Sequence, residues 1–125
     1  MILLEDILKV HQFSIDRYGG GTGVRDLGGV ASAIARPFQT FGGNDLYPSV
    51  FEKAAALGES LIVNHPFIDG NKRTGFLAMA SFMAEEGYFL KATQEEAYNF
   101  TIQIASGIAT FDQIVVWLKE NCSPV

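Results

Sequence analysis

Apolar positions along this chain recur mostly at intervals of three and four, the spacing of one helix face, and seldom alternate as a half-buried strand would. Residues 3–17 bring Leu4, Ile7, Leu8, His11 and Ile15 near one face, which predicts a first helix. The run Tyr18-Gly19-Gly20-Gly21-Thr22-Gly23 ends it as a helix terminator and loop. Asp26 is an N-cap candidate for a short helix through Arg36, stopped by Pro37. Between Phe38 and Tyr47, aromatic and β-branched residues flank a Gly-Gly-Asn-Asp tip, the pattern of a small β-hairpin or an extended flap. Pro48 suits the first turn of a long helix to about Asn64, with Phe51, Ala55, Leu57 or Gly58, and Ile62 as its buried stripe.

A further helix is expected from about Asn71, with Phe76, Leu77, Ala80, Met83 and Ala84 as its core face and Gly87 closing it. Thr93 with Glu96, and Thr110 with Gln113, read as capping boxes that open two more helices. In the last of these, Phe111, Ile114, Val115 and Leu118 face inward; Trp117 and most of the ten Phe residues read as core. The expected fold is all-α: a bundle of about six helices with one small flap hairpin.

Composition narrows the class. At 125 residues with 48% hydrophobic content, the chain fits one globular domain spanning residues 1–125. It has no apolar run near the ~20 residues that span a bilayer. Its N-terminus carries Glu5 and Asp6 where a signal peptide carries cations, so a cytoplasmic location is expected. The single Cys122 permits no internal disulfide. A net charge of −5 disfavours binding to nucleic acid, which requires many phosphates to be neutralised. The glycine run matches neither a P-loop nor a dinucleotide fingerprint. Asn99-Phe100-Thr101 matches a glycosylation sequon but lies inside an expected helix.

The chemistry concentrates in His65-Pro66-Phe67-Ile68-Asp69-Gly70-Asn71-Lys72-Arg73-Thr74-Gly75. Pro66 pushes His65 out of helical geometry, and an imidazole at such a junction is a candidate general base. Phe67 is expected to anchor the loop in the core. Asp69 is a hard oxygen ligand of the kind Mg²⁺ takes beside phosphate, although an aspartate before glycine is also an ordinary turn residue. Gly70 permits positive φ and close backbone approach to a ligand. Asn71 can cap the following helix and orient the loop. Lys72 and Arg73 fall in the first helical turn, where the dipole disfavours cations. Two adjacent cations there call for a bound anion such as phosphate.

These residues resemble the Fic/Doc superfamily, whose pattern reads His-x-Phe-x-(Asp/Asn)-(Gly/Ala)-Asn-Lys-Arg, and the Doc toxins in particular. Arg17-Tyr18-Gly19-Gly20, Arg25-Asp26-Leu27-Gly28, Ser32-Ala33, Ala35-Arg36-Pro37 and Leu46-Tyr47-Pro48-Ser49 extend the resemblance over essentially the whole chain. It implies a helical bundle with a flap, and transfer of a nucleotide or phosphate moiety to a protein hydroxyl. It further implies that His65 is the base and that Asp69 holds Mg²⁺. Phe67, Gly70, Asn71, Lys72 and Arg73 would form the ATP site, and the flap would align the target by strand addition.

AMP-transferring members resemble His-x-Phe-x-x-Gly-Asn-Gly-Arg-x-x-Arg, but here Lys72 replaces the second glycine and Phe76 the final arginine. Both departures are Doc-like. They favour a protein kinase whose target would be elongation factor Tu, over AMP transfer or a silent binding domain. Ser81-Phe82-Met83-Ala84-Glu85-Glu86 only approximates the family's inhibitory helix. Restraint by a separate Phd-like antitoxin docked in an apolar groove is therefore expected.

Overall fold

The computed structural model describes residues 2–125. Its elements, in chain order, are α1 (Leu4–Tyr18), α2 (Leu27–Ala35), a single 3₁₀ turn (Arg36–Phe38), β1 (Thr40–Phe41), β2 (Asn44–Asp45), α3 (Val50–Asn64), α4 (Asn71–Glu85), β3 (Tyr88–Leu90), α5 (Gln94–Ala105), α6 (Phe111–Asn121) and β4 (Cys122–Pro124). The all-α expectation with six helices and a flap holds. Helix starts follow local chemistry. Asp26 accepts from the Gly29 N–H at 3.1 Å. The boxes at Thr93–Glu96 and Thr110–Gln113 both close. Each cap of this kind is worth about 1 kcal/mol.

α3 runs through the middle of the bundle and is buried on most of its circumference, from Ala54 to Gly58 and from Ser60 to Ile62. Its start differs from expectation. Pro48 stays outside the helix, and Ser49 caps it, accepting from the Glu52 N–H at 3.1 Å while Glu52 reaches back to the Ser49 N–H. A hydroxyl N-cap satisfies an orphan donor, which proline cannot do.

The face of α4 also differs. Its buried side is Thr74, Gly75, Ala78, Met79, Phe82 and Met83, so of the expected set only Met83 is fully buried. Gly75 decides the rotation. A Cβ there would lie 2.5 Å from Ile62 Cγ1 and 3.2 Å from the Gly58 carbonyl oxygen, so this hydrogen-only position lets α4 sit directly against α3. Phe76 and Leu77 are consequently half-buried and line a cleft, with Phe76 at the edge of the core.

The flap is a two-stranded antiparallel ribbon pairing Thr40 with Asp45 and Phe41 with Asn44. Gly42 and Gly43 form its turn, leaving Asn44 and Asp45 in the returning strand. Phe41 at its end is 82% exposed. A second antiparallel pair was not expected: β3 and β4 join Tyr88–Leu90 to Cys122–Pro124 across α5 and α6. Three-residue strands carry too little alternation to be read from sequence. The aromatic core is also smaller than expected, since only Phe67, Phe82 and Phe100 of the ten phenylalanines are fully buried, and Trp117 is half-buried. Leu4, placed on the core face by spacing, is exposed at the first turn of α1. No described helix is long and apolar enough to cross a membrane.

Candidate active site

The motif loop is built outward from the end of α3. His65 takes a left-handed conformation, φ 49° and ψ 53°, the one positive φ outside glycine among the described residues. Pro66 bars His65 from continuing the helix. The Arg25 guanidinium donates to the carbonyl oxygens of Asn64 and His65, holding that terminus. A left-handed histidine costs about 1–3 kcal/mol, a strain that persists where surrounding contacts over-determine it. The imidazole is exposed and is not part of the neighbouring cavity wall.

The loop is then clamped from the side. Pro66 O accepts from the Arg25 and Asp26 N–H groups at 2.9 and 3.0 Å, and Ile68 N–H donates to Gly23 O at 3.2 Å. Val24 and Phe67 complete an antiparallel bridge. Asn71 closes the loop from the other end: its Oδ1 accepts from the Phe67 N–H at 2.9 Å and its Nδ2 donates to Phe67 O at 3.0 Å. Asn71 is therefore a loop brace and not a cap; the N-cap of α4 is Gly70, at φ 77° with no side-chain cap. Phe67 is 1% exposed and stacks on the His11 ring at 3.9 Å and 6°. Its side chain lies in the core, as the anchor reading expects, and is shielded from any ligand.

With no side-chain cap, the first-turn N–H groups of α4 are open to an anion. Lys72 is half-buried and Arg73 exposed. Among the described residues the ion pairs are Arg36–Glu59 and Lys53–Asp45, so neither of these two cations has a carboxylate partner. The Arg73 guanidinium lies 4.6 Å from the Tyr18 ring centroid, a cation–π contact. Beside it, Asp69 Oδ2 accepts from the Gly21 N–H at 3.1 Å and Oδ1 from the Gly70 N–H at 2.8 Å. Those two bonds, led by Gly21 and aided by the nearby Arg73 charge, hold the Asp69 carboxyl below the usual carboxylate range. Asp69 is thus anionic at neutral pH and aimed by the backbone.

In the sequence the glycine run is a helix terminator and loop. In the fold it is also a wall of the site: a Cβ at Gly20 would stand 2.7 Å from Asp69 Oδ2. Two side chains of α1, His11 and Tyr18, also reach the site, although no motif marks them as site residues. His11 sat on the predicted inner face, where spacing gives burial but not its partner. Tyr18 follows Arg17 in one of the strings that carry the family resemblance, the only signal available for it.

A cavity of about 530 Å³ opens at this point. Asp69, Lys72 and Arg73 line its polar end, and Phe76, Leu77 and Tyr98 part of its apolar wall. Phe76 is itself propped edge-on against Trp117 at 6.3 Å, and Trp117 stacks on Phe100 at 3.8 Å. At position 76 an aromatic is thereby built into the wall. The arrangement offers a carboxylate, two free cations and a helix N-terminus at one end of an apolar cleft, with an imidazole outside it.

The chain is similar to known proteins over most of its length. The family model described as the Fic/DOC family matches residues 2–83. The chain is 43% identical over 116 residues to a protein named Toxin Doc from Mycolicibacterium smegmatis, covering 91% of this chain and 87% of that one. It is 29% identical over 116 residues to the protein named Protein kinase doc from Escherichia phage P1, covering 93% and 90%.

Proposed function

The chain belongs to the Fic/DOC family, and from that premise we propose that it is a Doc-like toxin acting as a protein kinase. In this reading it transfers the γ-phosphate of ATP to a serine or threonine hydroxyl of elongation factor Tu and so blocks translation. The observation that carries the proposal is the pair Lys72 and Arg73, unpaired in the first turn of α4 beside an ionised Asp69. The donor set fits a nucleotide with Mg²⁺: one carboxylate is what that ion takes from protein when phosphate oxygens supply further ligands. Bound there, the ion would neutralise charge on the phosphates.

The chain's own residues do the rest. The open N–H groups of α4 and Arg73 bind and orient the phosphates, and Lys72 adds a second charge. His65 accepts the proton of the target hydroxyl. That oxygen bonds to the γ-phosphorus as the bond from γ-phosphorus to the β–γ bridging oxygen breaks, releasing ADP. The exposed flap edge, with Phe41 next to its turn, pairs with the target segment and sets its register. The apolar wall of the cavity is the docking place for a segment of a Phd-like antitoxin.

Phe76, fixed against Trp117, supports phosphate transfer over AMP transfer, because it replaces a phosphate-binding arginine. The test is incubation of the purified chain with elongation factor Tu, Mg²⁺ and ATP labelled at either the α- or the γ-phosphate. Label should reach the factor from the γ-position alone. Transfer from the α-position would make the chain an AMP transferase. No transfer from either, by folded protein free of inhibitor, would remove this target.

A further inference from the structure

We propose that His11 is a positioning residue of this site, setting the orientation of Asp69 through its main-chain carbonyl. The inference rests on the reading of Asp69 as the carboxylate that meets the metal. His11 is 3% exposed on the inner face of α1, and its Nε2 lies 2.8 Å from Asp69 O. A carbonyl oxygen can only accept, so Nε2 carries the proton. Stacking on Phe67 fixes the ring plane, and Phe67 is itself held at both N and O by the Asn71 amide.

The consequence lies in one peptide unit. The Asp69 carbonyl and the Gly70 N–H belong to the same rigid plane. That N–H donates to Asp69 Oδ1 at 2.8 Å. When His11 grips the carbonyl, it therefore fixes the direction of the donor that aims the carboxylate. A flip of this plane would release Oδ1 and turn the Gly70 N–H away from it. The exposed carboxylate would then keep only the Gly21 bond, at 3.1 Å. His11 acts on Asp69 as the partner of a metal ligand does, without touching the metal or substrate.

The test compares wild type, H11F and H11Q for binding of Mn²⁺, read by electron paramagnetic resonance with a non-hydrolysable ATP analogue present. Thermal melts run in parallel. H11F keeps a planar ring against Phe67 and loses the donor; H11Q keeps an N–H donor. Mn²⁺ affinity of folded H11F should fall about 10–100-fold, with part of the loss recovered in H11Q. Unchanged Mn²⁺ affinity in folded H11F, or a lower melting temperature alone, overturns the inference. Wild type that binds no Mn²⁺ with the analogue overturns the function reading and the metal role together. If H11F does not fold, ¹⁵N spectra of wild type decide: an Nε2–H tautomer with a protected proton is expected, and an Nδ1–H tautomer overturns the proposal.

Discussion

Arg36 beneath the flap and Arg73 at the start of α4 differ in what surrounds their guanidinium groups. Arg36 donates to Glu59 at 2.8 Å, to the Tyr47 hydroxyl at 3.0 Å and to Ser60 Oγ at 3.1 Å, between the rings of Tyr47 and Phe111. Burial works to lower its pKa, but the bonds to Tyr47 and Glu59 outweigh it and hold the value raised. Arg73 has only an aromatic face beneath it and an exposed front. A cation whose Nε and Nη1 donors are matched inside the chain ties the flap stem to α3. A cation left with a ring beneath it and no carboxylate in an ion pair is free to meet an anion from outside. Exposure alone would not separate the two roles; the partner list does.

The largest effect should come from the imidazole of His65, at the end of α3. His65→Ala should cut transfer by about 10²–10⁴-fold, the usual weight of a general base. The melting temperature should barely move, because the side chain is exposed. Label transfer and a thermal melt measure both, and activity that survives would take His65 out of the base role.

The two arginines can be crossed directly. Arg36→Ala should destabilise the fold by about 1–3 kcal/mol, since it strands the Glu59 carboxylate in a half-buried pair, while the folded fraction still binds nucleotide. Arg73→Ala should leave stability within about 0.5 kcal/mol and weaken nucleotide binding about tenfold. Denaturant titration and nucleotide calorimetry report the two quantities. If both variants lost stability equally and kept nucleotide, the contrast drawn from their partners would be wrong.

The smallest effect belongs to Asp69. Its folded pKa is lowered, so its contribution to stability is complete above the ordinary value of 3.8 and is lost as pH falls through the folded value. The Gly21 N–H reports this contact. Its amide shift should titrate with a midpoint below 3.8 and become flat in Asp69→Asn. A midpoint at or above 3.8 would mean that the backbone does not aim this carboxylate in solution.

Helix caps were legible because they are local: Asp26, Thr93 and Thr110 each find their partner three residues along. The motif was legible for a similar reason, since eleven consecutive residues hold the base, the carboxylate and both cations. The rotation of α4 was not. Phe76 and Leu77 satisfy the helical period as well as Ala78 and Met79 do, and the contacts of Gly75 with Ile62 and of Gly58 with Met79 select between them. The roles of His11, Tyr18 and Gly21 were hidden too, because each acts on a residue about fifty positions away.

The order of residues from His65 to Arg73 determined which groups this protein brings to phosphate, since they lie within reach of one turn and one helix start. Tertiary structure decided how those groups are aimed. α1 returns across the loop to hold the Asp69 carbonyl and to face the Arg73 guanidinium, and the strap at residues 20–26 closes the other side. Spacing along a chain specifies neighbours within a few residues. The direction of a carboxylate at the end of a flexible loop depends on donors from distant segments, and only packing brings them to it.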